Sequence, residues 1–454
     1  MHSHFKNHIR LSEFLNILLI FSFQFSVFNF ISCTKRLTPE EIEIQNQQKI
    51  ENAKNSAISE YVKNLSDEVR LSQLFLVNIE GNETFHAVEK TGSLHEKPAE
   101  GNPLVPGGVL LFSYNISNDP LQTYEYIKSI RDFYLANGNP PPFVSVDQEG
   151  GYVNRLRSLT ATLCSQQNAA SSLSPVSAQQ LYASQARQMN NLGFHLNLAP
   201  VIEVENDENR DFLDTRSFGN IGNVLIYGKT CVSAYENNKI ATVLKHFPGN
   251  SSTDPHTGLP EISVTREILQ NQYLLPFKNL NSLSSAVLMS HARITVSDDS
   301  TYTESKNPAC LSKYWVTDVL RNELGFKGLI LSDDIFMAAL AKNGYPPETA
   351  VISAVEAGID VIMLSEKRFG KVAGIILKKA CEDENFSKEI NRAAENVIRF
   401  KIKAGILNLI KTSQDSETEL PQFKVEINKN YADFDLYRFN EDYKAGMNAF
   451  EMKK

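Results

Sequence analysis

Cysteine is scarce in this sequence. Five occur in 454 residues, at Cys33, Cys164, Cys231, Cys310 and Cys381, and none sits in a C-x-x-C pair. The spacing argues against a zinc cluster, and thiols so few and scattered make no disulfide framework. A metal is not implied. Long basic runs are missing too. With a net charge of −8 and no stretch of Lys and Arg able to track phosphates, nucleic acid is not an expected partner. No G-x-G-x-x-G follows the first apolar run, which weakens a dinucleotide-binding reading. What is present, 42% hydrophobic and 22% charged residues, suits a large globular core and neither a fibrous nor a disordered chain.

The N-terminus differs from the rest. Lys6 and Arg10 precede a mostly apolar stretch, Phe14 to Ile31, interrupted by Asn16, Gln24, Asn29 and two serines. Those interruptions make it marginal as a spanning helix and closer to a secretory signal. It closes on Phe30-Ile31-Ser32-Cys33, which resembles the lipobox of bacterial lipoproteins, with Phe30 where Leu is usual. The resemblance implies acylation at Cys33 and an exported, membrane-anchored protein of the bacterial envelope, periplasmic or on the surface. An uncleaved signal anchor is the alternative. Residues 1–33 are therefore set apart from the fold. Residues 34–55, charged and rich in Gln and Asn, suit a tether or a short surface helix.

From residue 56 to about 410, short apolar runs alternate with helix-length amphipathic segments. The runs are Gln73–Asn78, Gly108–Phe112, Phe143–Val146, Phe194–Leu198, Ala241–Leu244, Ala286–Met289, Gly328–Leu331 and Val361–Leu364. Helical patterns lie between them, as at 119–137, 177–192 and 313–324. Strands alternating with helices mean βαβ units and a parallel sheet. Eight such units predict a (β/α)8 TIM barrel in a single catalytic domain; a doubly wound open sheet is the competitor. Residues 411–454, polar with scattered aromatics, form a tail or a flap over the barrel.

The residues just after the runs point to function. Run three ends in Asp147-Gln148-Glu149, run five in Lys245-His246, run six in Ser290-His291, run seven in Asp333-Asp334 and run eight in Ser365-Glu366. In a barrel these ends converge on the face where active sites of this fold lie. Each alone has a plainer explanation. Asp334 suits the N-cap of a helix beginning at Ile335, Glu149 and Glu203 suit structural partners of nearby loops, and His195 and His291 suit satisfied core histidines. After Pro248 and Gly249 a polar loop carries Asp254 and His256, a D-x-H pair in which the acid can orient and charge-stabilise the ring for proton transfer.

Several segments together resemble glycoside hydrolase family 3, in particular its single-barrel β-N-acetylhexosaminidases. They are VDQEGG-x-V-x-R at Val146–Arg155, LAPVIEV at Leu198–Val204, RSFG at Arg216–Gly219, KHFPG at Lys245–Gly249, D-x-H at Asp254–His256 and ELGFKGLILSDD at Glu323–Asp334. The resemblance implies Asp333 as nucleophile and His256 as acid and base, held by Asp254. It also implies Asp147, Arg155, Arg216, Lys245 and His246 as groups holding the sugar. The implied reaction is retaining hydrolysis of a terminal β-linked N-acetylhexosamine through a covalent glycosyl-aspartate, by a monomer without cofactor. The departures cluster around the D-x-H loop. Asn250 stands where a second histidine is expected, Ser251 replaces a glycine, Pro255 separates the pair, and the loop is about two residues shorter. Tyr152 replaces an arginine, and Glu203 an aspartate. Two alternatives therefore stay open: an exo-β-glycosidase of other sugar preference, and a catalytically weakened, sugar-binding envelope lipoprotein.

Overall fold

A computed structural model describes residues 38–85, 105–298, 306–365, 369–413 and 421–451. Cys33 and Glu366 lie outside the described residues. The chain divides into two units, one ending at Ala53 and the other running from Lys54. In the first, the described part is the start of a helix spanning Pro39–Lys63. Among the described residues no helix is long and apolar enough to cross a membrane.

The second unit is built on eight short strands: β1 (Phe75–Asn78), β2 (Gly108–Leu111), β3 (Phe143–Val146), β4 (Leu196–Asn197), β5 (Ala241–Phe247), β6 (Ala286–Met289), β7 (Leu329–Leu331) and β8 (Ile362–Leu364). They pair side by side and in parallel in the order β7-β6-β5-β4-β3-β2-β1-β8. A parallel bridge between Leu331 and Val361 joins the two ends. The ring is closed, so the chain is a (β/α)8 barrel and not an open sheet.

Strand alternation sorts the apolar residues into two layers. Leu76, Leu110, Phe143, Leu196, Val243, Ala286, Leu288, Leu329, Leu331 and Met363 share one buried cluster. Their neighbours Val77, Val109, Val144, Leu244, Val287 and Ile330 join the larger cluster that includes the helices. Both layers are buried, which is why the strands read as unbroken apolar runs.

Four of the helices that flank the barrel begin alike. In α1 (Pro120–Ala136), α2 (Pro175–Leu192), α3 (Ile221–Asn237) and α4 (Glu384–Lys403), the N-cap side chain of Asp119, Ser174, Asn220 or Asp383 accepts a first-turn N–H. Each cap satisfies a donor that the helix cannot.

The end of α4 plugs the lower mouth, where strands begin. Phe400 meets Phe143 edge to face at 5.3 Å. Gly108 makes room for that plug, since a Cβ there would lie 2.3 Å from the Phe143 ring. Beside Phe400, Lys401 is wholly buried, its ammonium donating to Gln73 Oε1 at 2.7 Å. Burial pushes its pKa down from 10.5 to about 7. The folded state therefore opposes the charge, and stability should rise with pH between about 7 and 10.5. Lys401→Met is expected to stabilise the protein by about 3 kcal/mol, allowing for Gln73's lost partner. Thermal melts should show that gain in full below pH 7 and lose it towards pH 10.5.

After α4 the chain forms an antiparallel pair, Leu407–Ser413 with Gln422–Ile427. A last helix, α5 (Leu436–Glu451), packs along α2, where Asp442 pairs with Arg187 and Asn191 exchanges hydrogen bonds with the backbone of Asp435.

Two local expectations fail for visible reasons. β5 does not stop at Leu244 but runs through Lys245 and His246 to Phe247, because both polar side chains find buried partners. Asp334 caps no helix. The next helix starts at Ala338, and the Asp334 carboxylate instead accepts from Phe336 N–H, Ser365 N–H and Ser365 Oγ, tying the end of β7 to that of β8.

Candidate active site

At the upper mouth, β3 leads into Asp147 and a tight hairpin, Gln148–Gly150 with Val153–Asn154. Gly150 has φ 103°, and a Cβ there would lie 2.1 Å from the carbonyl oxygen of Cys164, so only glycine fits. This turn holds Glu149 in the interior, 3% exposed. Arg216 grips Glu149 with two parallel bonds, Nε to Oε2 at 2.8 Å and Nη2 to Oε1 at 2.9 Å. Lys245, from β5, adds a third contact at 2.6 Å and reaches Asp147 at 3.0 Å.

Two cations and two carboxylates thus form one network. Burial alone would raise the pKa of Glu149, but Lys245 and Arg216 reverse this and hold it well below the usual carboxylate range. Burial works against the charge of Lys245 as well, and Glu149 and Asp147 outweigh it, leaving the ammonium more basic than usual. The network fixes a permanently charged wall that needs no reorganisation when substrate arrives.

His246 belongs to a second cluster. Its Nδ1 lies 2.6 Å from Glu203 Oε1, an oxygen that also accepts from the His246 backbone N–H and from Asn250 Nδ2, both at 3.3 Å. The Phe212 ring stands 6.3 Å from the imidazole. Arg155 lies elsewhere on the rim, its guanidinium 5.5 Å from the Phe112 ring centroid beyond β2.

Asp333 lies just past β7. Its Oδ1 accepts the N–H of Asp334 at 2.8 Å, and the residue is 7% exposed. Below it His291 is fully buried and satisfied, with Nε2 donating to the Asp334 carbonyl and Nδ1 facing Cys310 Sγ at 3.1 Å. Burial, and then the charge of Asp333, push the Cys310 thiol well above its ordinary value. His195 is structural. Its Nδ1 accepts the Val144 N–H, and burial, with Lys401 and Arg131, lowers its pKa to about 4.

The D-x-H pair is arranged differently from the sequence expectation. Asp254 turns its carboxylate onto the backbone N–H of His256 at 2.9 Å, closing an Asx turn that Thr257 and Gly258 continue. Both Asp254 and His256 are exposed. The Asx turn uses the acid locally, next to a proline that restricts Asp254 to extended geometry. Glu203 and Asn250 are the residues that sequence alone undervalues. Each reads as a departure from a motif, and only the fold brings them against His246. Among the described residues no group of three or more His, Cys, Asp or Glu side chains is placed to hold a metal ion.

The glycosyl hydrolase family 3 N-terminal domain matches residues 68–400, most of the chain. The protein belongs to that family. This places it among the glycoside hydrolases. It is 33% identical over 282 residues to a beta-hexosaminidase of Actinobacillus pleuropneumoniae serotype 3 (strain JL03), covering 60% of this chain and 77% of that one. With beta-hexosaminidase A of Pseudoalteromonas piscicida it shares 29% over 273 residues, 57% of this chain, and so spans only 45% of that relative's length. The family fold is seen in the crystal structure of a beta-N-acetylhexosaminidase from Beutenbergia cavernae, with a TM-score of 0.64 at 24% identity, over 74% of this chain and 99% of that one.

Proposed function

We propose that this family 3 member is a retaining exo-β-N-acetylhexosaminidase that removes terminal β-linked N-acetylglucosamine from glycans or peptidoglycan fragments. The observation carrying this reading is a barrel-end carboxylate, Asp333, at the same mouth of the parallel barrel as the charged wall of Asp147, Lys245 and Arg216, in a chain whose relatives are named beta-hexosaminidases. In the proposed first step Asp333 attacks the anomeric carbon while His256 gives a proton to the departing oxygen, leaving a covalent glycosyl-aspartate. Water then attacks that carbon, gives its proton to His256 and releases Asp333. Arg155, His246 and the charged wall hold the sugar. The lipobox-like motif at Cys33 supports an exported, lipid-anchored enzyme of the bacterial envelope, and the reading takes it to act as a monomer.

The wild-type protein should hydrolyse a chromogenic aryl N-acetyl-β-glucosaminide and leave the matching plain β-glucoside largely intact. Cleavage of the glucoside alone would overturn the sugar assignment. The Asx turn at Asp254 favours a second reading, a weakened enzyme, because the acid then does not support the ring. His256→Ala decides how far the imidazole matters. Its loss should slow poor leaving groups by about 10²-fold or more and nitrophenolate-type ones far less, since these need little protonation. An equal loss on both would remove His256 from the acid role.

A further inference from the structure

Glu203 sits in the wall of the mouth with its carboxyl group used on one side only. It is 4% exposed. Oε1 takes three donors, from His246 twice and from Asn250, while Oε2 is buried with no partner among the described residues. Asn250, 1% exposed, repeats the pattern. Its Nδ2 points at Glu203 and its Oδ1 is buried without a partner among the described residues. Two unsatisfied acceptors side by side make poor material for stability, since each costs about 1–3 kcal/mol. Such groups are retained in native structures where they serve a function.

The bonds they do make converge on one object, the His246 ring. We propose that Glu203 and Asn250 form a positioning clamp that fixes the orientation and tautomer of His246. Oε1 is the acceptor in two bonds whose donors are unambiguous, the His246 backbone N–H and the Asn250 amide. The third contact is then Nδ1–H donating to the same oxygen at 2.6 Å. In the neutral imidazole this leaves a lone pair on Nε2. The neighbouring Lys245 ammonium and Arg216 guanidinium are pure donors, turned towards Asp147 and Glu149. His246 therefore adds what that wall lacks, a neutral acceptor for a sugar hydroxyl. A carboxylate that orients a ligand-binding histidine through its far nitrogen is a familiar supporting device. Here one oxygen holds both the ring and the backbone of the same residue.

The sugar-binding half of this inference rests on the proposed hexosaminidase reading; the tautomer half does not. Glu203→Met keeps the length of the side chain and removes the acceptor, whereas Glu203→Gln keeps an acceptor and removes the charge. With an aryl N-acetyl-β-glucosaminide, E203M should raise KM at least about tenfold with kcat changed much less, and E203Q should recover most of that loss. E203M should melt below wild type, because the buried His246 N–H groups and the Asn250 amide lose their acceptor, and E203Q, which restores an acceptor, should melt closer to wild type. Nitrogen-15 spectra of the substrate-free protein, with the His246 signals assigned by their loss in His246→Gln, should show Nδ1 protonated and Nε2 bare in wild type and E203Q. In E203M the population should move towards Nε2–H. An unchanged tautomer in E203M overturns the clamp whether or not the protein cleaves any glycoside. An unchanged KM in E203M, or equal losses in E203M and E203Q, overturns its role in holding the sugar.

Discussion

Asp333→Ala is expected to abolish glycoside hydrolysis, lowering kcat by at least ~10³-fold, with the fold unchanged. The reason lies in its position. Asp333 lies just past β7 at the upper mouth, where its neighbour Asp334 is already committed to Phe336 and Ser365. Asp334 is also pushed towards the protonated form, chiefly by burial. Of the two adjacent acids it is the one engaged in structure, which leaves Asp333 for chemistry. In the proposed mechanism Asp333 attacks from the side of the sugar opposite the leaving group, so removing its carboxylate leaves space there. Azide added to the variant should occupy that space and attack the anomeric carbon, giving an α-glycosyl azide from a β-glycoside with an activated leaving group. Asp333→Asn, which keeps the bond to the Asp334 N–H, should be equally inactive towards hydrolysis and melt like wild type. Appreciable turnover by either variant, or a β-configured azide product, would remove Asp333 from the nucleophile's position.

The barrel is legible in the sequence because each strand is buried on both faces and so appears as an unbroken apolar run. Phe143–Val146 and Ala286–Met289 match their strands to the residue. Strand ends are harder wherever polar groups continue the ladder. The end of β5 looks like a strand stopping at charge, yet Lys245 and His246 remain in it because Glu149 and Glu203 arrive from distant segments to pair with them. Local patterns carry no trace of such partners. The same limit explains Asp334, whose sequence context fits an N-cap while its real partner, Ser365, is thirty-one residues away just past β8. Sequence motifs mark Asp147, Arg216 and Lys245 individually, but do not show that Glu149 is the buried centre joining them. Charge patterns near a strand end identify a site; which charges face one another depends on closure of the ring.

That centre sets the second large effect. Glu149→Leu should destabilise the protein by about 3–5 kcal/mol, because Arg216 and Lys245 would then be buried with an unfilled position between them. Asp147→Leu should cost much less stability. Its side chain is 19% exposed against 1% for Glu149, and among the described residues it pairs with Lys245 alone. The pH dependence provides an independent check. Because the folded state holds the Glu149 pKa below its unfolded value, its contribution is complete above the unfolded pKa near ~4.3 and declines as pH falls towards the folded one. Denaturation measured from pH 7 down to acid should therefore show wild type and Glu149→Gln converging, as the glutamate's advantage disappears. Equal losses for Glu149 and Asp147 variants at neutral pH would mean that the network is anchored at its rim. Loss confined to Glu149, with Asp147→Asn impaired in activity but melting normally, would divide the wall into a buried support and an outer edge that meets the sugar.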